Sequence, residues 1–445
     1  MPGMKFGALL AALCIHRCLP VALLLALGCG TQAAGEDPQD WARQHLDDLV
    51  TLYRHFHTHP ELSQFEKETA AKVASEFKAA GWDVTTNIGG HGVVGVMKNG
   101  QGPTLMLRCD LDALPVVEQT NLVYSSKVKA KGPDGNEVGV MHACGHDVHI
   151  TTICAMARYL AANKDRWRGT IMLIGQPSEE RVSGAAAMLK DGLFERFPKP
   201  DFGVALHVDS TLAAGKVAVS GGYVLANSDA VDVTIKGRGG HGAAPHTTVD
   251  PIVTAAQFIV SLQTVVSREI KPTDPAVITV GSIHGGSKHN IIGDSCHLQL
   301  TVRSYSDDVR KQLHAAIERK AKAAALAADA PEPVIKIDEG TSALFNDEDL
   351  AARLRTTFVK VLGEDNVEHA EKSMGAEDFS EYGKAGVPIV MYRLGAVNAQ
   401  RLARYKELGQ TPPSLHSAVF YPDVEEVLPV GIVTMAGAVF DLLKK

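Results

Sequence analysis

The sequence predicts an α/β protein whose main domain is interrupted by a smaller α+β domain. Three observations predict it. Near-continuous apolar runs of strand length, Thr104–Arg108, Thr170–Ile174 and Phe202–His207, are separated by segments of helical texture. That is the pattern of a parallel sheet covered on both faces. After about Tyr223 the texture changes to strand-helix-strand-strand-helix-strand, the order of a ferredoxin-like unit. Strand and motif texture of the first kind resumes after about Ser342.

The elements follow in chain order. Met1–Gly35 carries only Lys5 and Arg17 as charged side chains, around the apolar run Leu19–Gly28. That run is too short to span a bilayer and suits the core of a signal peptide. Small residues at Thr31–Ala34 follow, so residues 1–33 are expected to be a signal peptide cleaved near Ala33. The mature chain would then be periplasmic or secreted, with no membrane span. Two alternatives stay open: a leader that remains attached as an anchor, and a weak lipobox at Ala26-Leu27-Gly28-Cys29 that would lipid-anchor the chain through Cys29.

Gln39–Ala80 has apolar residues at helical spacing with a turn at His59-Pro60. His149–Asn163 is the clearest helix between two of the apolar strands. In the inserted part, Ala230–Lys236 alternates as a strand with one wet face, and Pro251–Ile270 is an amphipathic helix. Ala276–Ile283 and His297–Arg303 are strands, Asp307–Ala328 a second helix, and Glu332–Ile337 a closing strand. The expected division is 36–221 plus 341–445 for the discontinuous domain and 222–340 for the smaller one.

Composition narrows the function. The 445 residues are 45% hydrophobic and 21% charged, with a net charge of −7. This is globular composition and excludes a disordered chain. No clustered basic residues offer a nucleic-acid footprint, and no zinc-finger cysteine spacing occurs. Three of the seven cysteines, Cys14, Cys18 and Cys29, lie in the leader. Cys109, Cys144, Cys154 and Cys296 are too scattered for a disulfide scaffold in a chain this large.

The chemistry concentrates in four places. Met141–His149 (MHACGHDVH) packs three histidines, a cysteine and an aspartate into nine residues. Cys144 and His146 flank a glycine in a loop before a helix, a geometry that can aim a thiolate and an imidazole at one point, as zinc and its neighbours require. Gln176-Pro177-Ser178-Glu179-Glu180 follows the strand Thr170–Ile174. One carboxylate there can ligate a metal while its neighbour acts as general base; a solvated pair at a helix start is the plain alternative. His207 ends the Phe202–His207 run, and His416 stands in Ser414-Leu415-His416-Ser417. Each alone reads as a structural histidine. Gathered at strand ends, the set can enclose two metals about 4 Å apart.

With these residues in view, the chain resembles the M20 family of metallopeptidases and aminoacylases, in its amidohydrolase branch. That branch includes hippurate hydrolases, N-acyl-amino-acid amidohydrolases and plant auxin-conjugate hydrolases. His57–Ser63 (HTHPELS), Arg108–Pro115 (RCDLDALP), HACGHD, QPSEE, Gly239–His246 (GGHGAAPH) and Met374–Phe379 (MGAEDF) follow in family order. The resemblance covers nearly everything after the leader. It implies a two-domain protein: a zinc-exopeptidase-like α/β catalytic domain with an inserted ferredoxin-like α+β lid and dimerisation domain.

It also implies roles. Cys144, His146, Glu180, His207 and His416 match the protein ligands of two divalent metal ions, zinc or manganese, with cobalt or nickel also used in relatives. Glu179 matches the general base, and Asp112 a carboxylate that orients a ligand imidazole. His241 matches the residue that polarises the scissile carbonyl, contributed in relatives across a homodimer interface. Asn290 and Arg303 resemble lid residues that hold substrate. The family's Asn-Val-Ile-Pro stretch reads Asn290-Ile291-Ile292-Gly293 here, so the local turn differs.

The activity so implied is metal-dependent hydrolysis of the amide bond of a small-molecule N-acyl amino acid. Glu179 would take a proton from water and pass it to the leaving amine. A dipeptidase or di-acid deacylase could use the same residues. A chain that binds metal or acyl amino acid without cutting it would be expected to lose part of the set, which is complete here.

Overall fold

The computed structural model describes residues 36–132 and 135–445. The expected signal peptide 1–33 and its Cys29 lie outside the described residues. No helix among the described residues is long and apolar enough to cross a membrane.

The central sheet has eight strands in the order Asp83–Ile88, Gly92–Asn99, Gly169–Gln176, Thr104–Asp110, Phe202–Ala213, Ile389–Val397, Val217–Ala218 and Val367–Glu368. Its middle four strands run parallel, as their unbroken apolar runs predict. The sheet as a whole is mixed. An antiparallel hairpin, Asp83–Ile88 with Gly92–Asn99, extends one edge. Its outer strand is mostly exposed or half-buried, so it carries no continuous apolar run by which the sequence would have announced it.

Alternation along the strands divides two cores. Leu105 and Leu107 join Ile171 and Leu173 on one face, while Met106 joins Met172 and Ile174 on the other, as successive strand side chains must. The first face packs under long helices, Leu46–Thr58, Lys67–Ala79, His146–Ala162, Glu348–Leu362 and Val424–Leu442. The expected helical stretch Gln39–Ala80 is three helices, broken as predicted at His59-Pro60. The second face is covered by the short helices Gly184–Lys190, Leu193–Arg196 and Ser380–Lys384.

A separate four-stranded antiparallel sheet has the order Ala276–Gly285, Ser295–Ser304, Asp229–Lys236, Val334–Glu339. The helices Pro251–Thr264 and Asp307–Ala327 pack on it around their own core of Val231, Val233, Phe258, Leu298 and Leu313. Both helices start on a side-chain cap, Asp250 and Ser306. Pro251–Thr264 stops short of Ile270 because its last turn widens to a π-turn over Val265–Glu269. The chain enters and leaves this unit beside Asp229. That buried carboxylate accepts from the Arg310 guanidinium, His314 and the Gly340 N–H, tying both ends to the same helix.

Candidate metal centre

The loops that leave the parallel strands converge on one cavity of about 440 Å³. Cys144, Glu179, Glu180, His207 and His416 all line it. Catalytic groups in open α/β sheets collect beyond the carboxyl ends of strands. His207 is a partial exception: its strand runs on to Ala213, and His207 projects from within it.

Local structure explains how each residue is aimed. Gly145 precedes the helix His146–Ala162 with φ 77°, and a Cβ there would meet Val208 at 2.6 Å. Only glycine suits that turn, which presents Cys144 and His146 to the same space. Ser178 and Val182 bracket the glutamate pair at φ 55° and 45°. His416 has φ 68° and is held by its N–H to the Ala143 carbonyl at 2.9 Å. Non-glycine residues in this region are strained, and such strain gathers at functional sites.

The donor atoms form overlapping sets. Those of Cys144, His146 and His207 lie within 4.8 Å of one another, as do those of Cys144, Glu180 and His416, and of His146, Glu179 and Glu180. Cys144 Sγ is 3.6 Å from His207 Nε2. His416 Nε2 is 3.5 Å from Glu180 Oε2. His146 Nε2 stands 3.8 Å from both Glu179 Oε2 and Glu180 Oε1.

These residues fit a bound metal. His146 Nδ1 meets the Asp112 carbonyl at 2.8 Å and His207 Nδ1 the Val208 carbonyl at 2.8 Å. Each ring therefore donates from Nδ1 and turns Nε2 toward the other donor atoms, the tautomer a metal needs. His146 Nε2 and Glu180 Oε1 are buried with no hydrogen-bond partner among the described residues. Buried polar atoms are rarely left so. A thiol, imidazoles and a carboxylate form a donor set suited to zinc-like ions.

The electrostatics point the same way. Burial pushes the Glu179 carboxyl up, and Glu377 and Glu180 add to it. Burial likewise raises Glu180 to about 7, with His146 opposing and Asp112 assisting. Burial raises the Cys144 thiol, and Glu180 adds to that. Burial lowers His207, as do His149 and Arg393. Crowded acidic groups held protonated are groups that a divalent cation would ionise.

A supporting layer holds the donors. Asp112 reaches His146 chiefly through its main chain; its carboxylate lies 3.5 Å from Nδ1. That carboxylate accepts the Ser63 hydroxyl at 2.6 Å and the Glu180 N–H at 3.0 Å, so it also positions the Glu180 backbone. Asp110 takes the His149 Nδ1–H at 2.7 Å, and His149 Nε2 accepts the Val208 N–H at 3.0 Å. With both nitrogens engaged, His149 serves as structure. Arg108 is fully buried against Asp110, Glu377 and Asp378 at 2.8, 2.8 and 3.1 Å. Glu377 therefore both lines the cavity and, with Asp378, neutralises Arg108.

Three residues escaped the sequence reading. Glu66 accepts from Ser178 N and Gln64 N. Arg108 stood inside a quoted motif without a role. Arg393 lines the cavity from a strand whose other residues are apolar or glycine, tyrosine apart. A lone charge in such a run was the signal available.

The lid residues separate. Arg303 lines the cavity and donates to the Met374 carbonyl at 2.9 Å. His241 and Asn290 do not line it. They sit on an exposed two-stranded ribbon, Gly240–His241 with Ile291–Ile292, and on the turn that precedes its second strand. There His241 Nδ1 accepts the Ala243 N–H, and the Asn290 carbonyl accepts the Gly242 N–H.

Comparison with known proteins agrees with this architecture. The chain is 38% identical over 336 residues to a hippurate hydrolase of Campylobacter jejuni, covering 75% of this chain and 84% of that protein. It is 36% identical over 339 residues to an N-acetyl-L-cysteine deacetylase of Bacillus subtilis, covering 75% and 77%. A solved Bacillus subtilis structure described as a dinuclear metal-binding peptidase superimposes with a TM-score of 0.75 at 27% identity, covering 90% of this chain and 99% of that one. Residues 106–407 match the Peptidase family M20/M25/M40, and with the motifs, the fold and the relatives in agreement, the chain belongs to that family.

Proposed function

We propose that the protein is a metal-dependent amidohydrolase that cleaves N-acyl amino acids to a carboxylic acid and a free amino acid. The observation that carries this is the convergence of Cys144, His146, Glu180, His207 and His416 around one cavity that also presents Glu179. The five would hold two divalent ions, with Cys144 shared between the donor sets. The ions, when bound, polarise a carbonyl and lower the pKa of water to about 7.

The chain's own residues do the rest. Glu179 ligates nothing in this reading and is the carboxylate left to accept a proton from water. Its elevated affinity for protons suits a group that takes a proton and then delivers it to the departing amine. Arg303, with donors to spare beyond its bond to Met374, would hold the substrate carboxylate.

His241 would complete the site from a second copy of the chain. Its place on an exposed ribbon outside the cavity supports a homodimer in which each copy lends its His241 to the other. We further propose that residues 1–33 direct export to the periplasm or beyond.

The test is to purify the chain without its leader, strip its metal, and restore zinc, manganese, cobalt or nickel in turn. N-benzoyl, N-acetyl and indoleacetyl amino acids and simple dipeptides are then assayed for amine release. Metal-dependent release from acyl amino acids is expected. Full metal occupancy without release from any compound would overturn the proposal, and faster release from dipeptides would favour a dipeptidase.

A further inference from the structure

Arg393 lies in the strand Ile389–Val397 between Tyr392 and Leu394, both fully buried in the large core. Alternation turns Arg393 to the other face, where it is half-buried and lines the cavity. It stands in register with His207 on the neighbouring parallel strand, about 4.8 Å away in the sheet. The strand thus places a permanent cation beside a metal-ligating imidazole.

That charge has no protein partner among the described residues. Among the described residues, Arg393 makes no hydrogen bond, and no carboxylate oxygen lies within 4.0 Å of it. The three carboxylates that line the cavity are directed elsewhere. Glu377 pairs with Arg108 at 2.8 Å, Glu180 faces His416 at 3.5 Å, and Glu179 faces His146 at 3.8 Å. The contrast with Arg108, buried among three acidic groups, is direct: the fold neutralises the arginine it uses as structure and leaves the cavity arginine uncompensated. A guanidinium also opposes divalent ions nearby, and an anion from the ligand would relieve both conditions.

The cavity holds a second guanidinium, Arg303, which among the described residues also meets no carboxylate within 4.0 Å. It comes from the strand Ser295–Ser304 of the smaller sheet, whereas Arg393 comes from the central sheet. One α-carboxylate needs one such fork. We propose that Arg393 receives a second carboxylate of the substrate, so that the enzyme prefers N-acyl amino acids bearing two carboxylates. This rests on the hydrolase reading above. The second carboxylate belongs either to the amino-acid side chain or to the far end of a dicarboxylic acyl group.

Neutral isosteres isolate the charge. N-benzoylglutamate is compared with N-benzoylglutamine, and N-succinylalanine with its terminal amide, on metal-restored wild type and on Arg393→Met. In one pair or the other, wild-type kcat/KM for the acid should exceed that for the amide by roughly tenfold or more, the scale of a charge-assisted hydrogen bond. The pair that shows it locates the carboxylate. In Arg393→Met that ratio should fall toward one, and Arg393→Lys should keep part of it. Because a ratio is read, losses of folding or metal common to both compounds cancel. A wild-type ratio near one in both pairs, or a ratio unchanged in Arg393→Met, overturns the proposal.

If no compound of either pair is cleaved, the hydrolase reading stands or falls on the panel above. Arg393 is then judged by calorimetric binding of the same compounds. Tighter binding of the acids that is lost in Arg393→Met supports its role, and equal binding of acid and amide overturns it.

Discussion

The Glu66 carboxylate accepts the backbone N–H of Ser178 at 2.8 Å and that of Gln64 at 2.9 Å, and so clamps the residue immediately before Glu179. Both held residues have left-handed backbone, φ 55° and 73°. A loop end otherwise free to relax is thereby fixed next to Glu179.

Glu66→Ala should therefore leave two inward-facing N–H groups without their acceptor and release the strained turn. A stability loss of about 2–4 kcal/mol is expected, with kcat lowered by about tenfold or more through misplacement of Glu179. Burial, reinforced by Asp112, pushes the Glu66 carboxyl up to about 7. Glu66→Gln, which keeps the acceptor oxygen, should then retain most of both. Urea unfolding and steady-state kinetics on the pair check this; equal damage in both variants would contradict the clamp.

Glu179→Gln removes the proposed proton acceptor without touching a proposed ligand. Bound metal per chain should be unchanged by elemental analysis, while kcat falls by about 10²–10⁴. Turnover near wild type would remove Glu179 from its role.

His241→Ala and Glu179→Gln should each be nearly inactive alone. If each site takes Glu179 from one copy and His241 from the other, mixing equal amounts under exchange restores one intact site in each mixed dimer. Roughly a quarter of the wild-type rate should return. No recovery, with mixed dimers demonstrated by mass, would show that His241 does not act across the interface.

His57 gives a prediction in pH. It is buried between Asp147 at 2.7 Å and Glu118 at 3.2 Å, with Tyr53 at 3.3 Å. Tyr124 stacks edge-on against it, and His142 and Glu118 share the neighbourhood. Burial opposes its charge, but the two carboxylates overcome that and raise its pKa from 6.5 to about 9. A raised pKa stabilises the fold fully below the unfolded value and is lost as pH climbs through the folded one. Thermal stability should thus decline between about pH 7 and 9, by on the order of 2–3 kcal/mol. In His57→Gln that slope should flatten. A wild-type stability curve level over this window would refute the assignment.

Much of the site was legible because its chemistry is local in the chain. Cys144, Gly145 and His146 form one turn, and Glu179 and Glu180 are adjacent. Residue types and short spacing were enough to raise them. The supporting layer was harder. Asp112 is expected to orient a ligand imidazole through its carboxylate, yet toward His146 its carbonyl makes the closer contact, and its carboxylate also holds Glu180. Which atom of a residue bonds is a matter of packing, and spacing in the chain does not encode it. The hairpin edge of the central sheet was missed for a related reason: an outer strand buries little, so its pattern is weak.

The sequence by itself determined the alternation of apolar strands and helices, the inserted α+β unit and the residues able to ligate metal, because periodicity and side-chain chemistry are properties of short segments. Only the tertiary structure decided that His207 and His416 meet Cys144 and Glu180, that Arg108 is neutralised while Arg393 is not, and that His241 stands outside the cavity of its own chain. Those are distances between segments remote in sequence, and they are set when the parallel strands pack side by side and bring their loops to one end of the sheet.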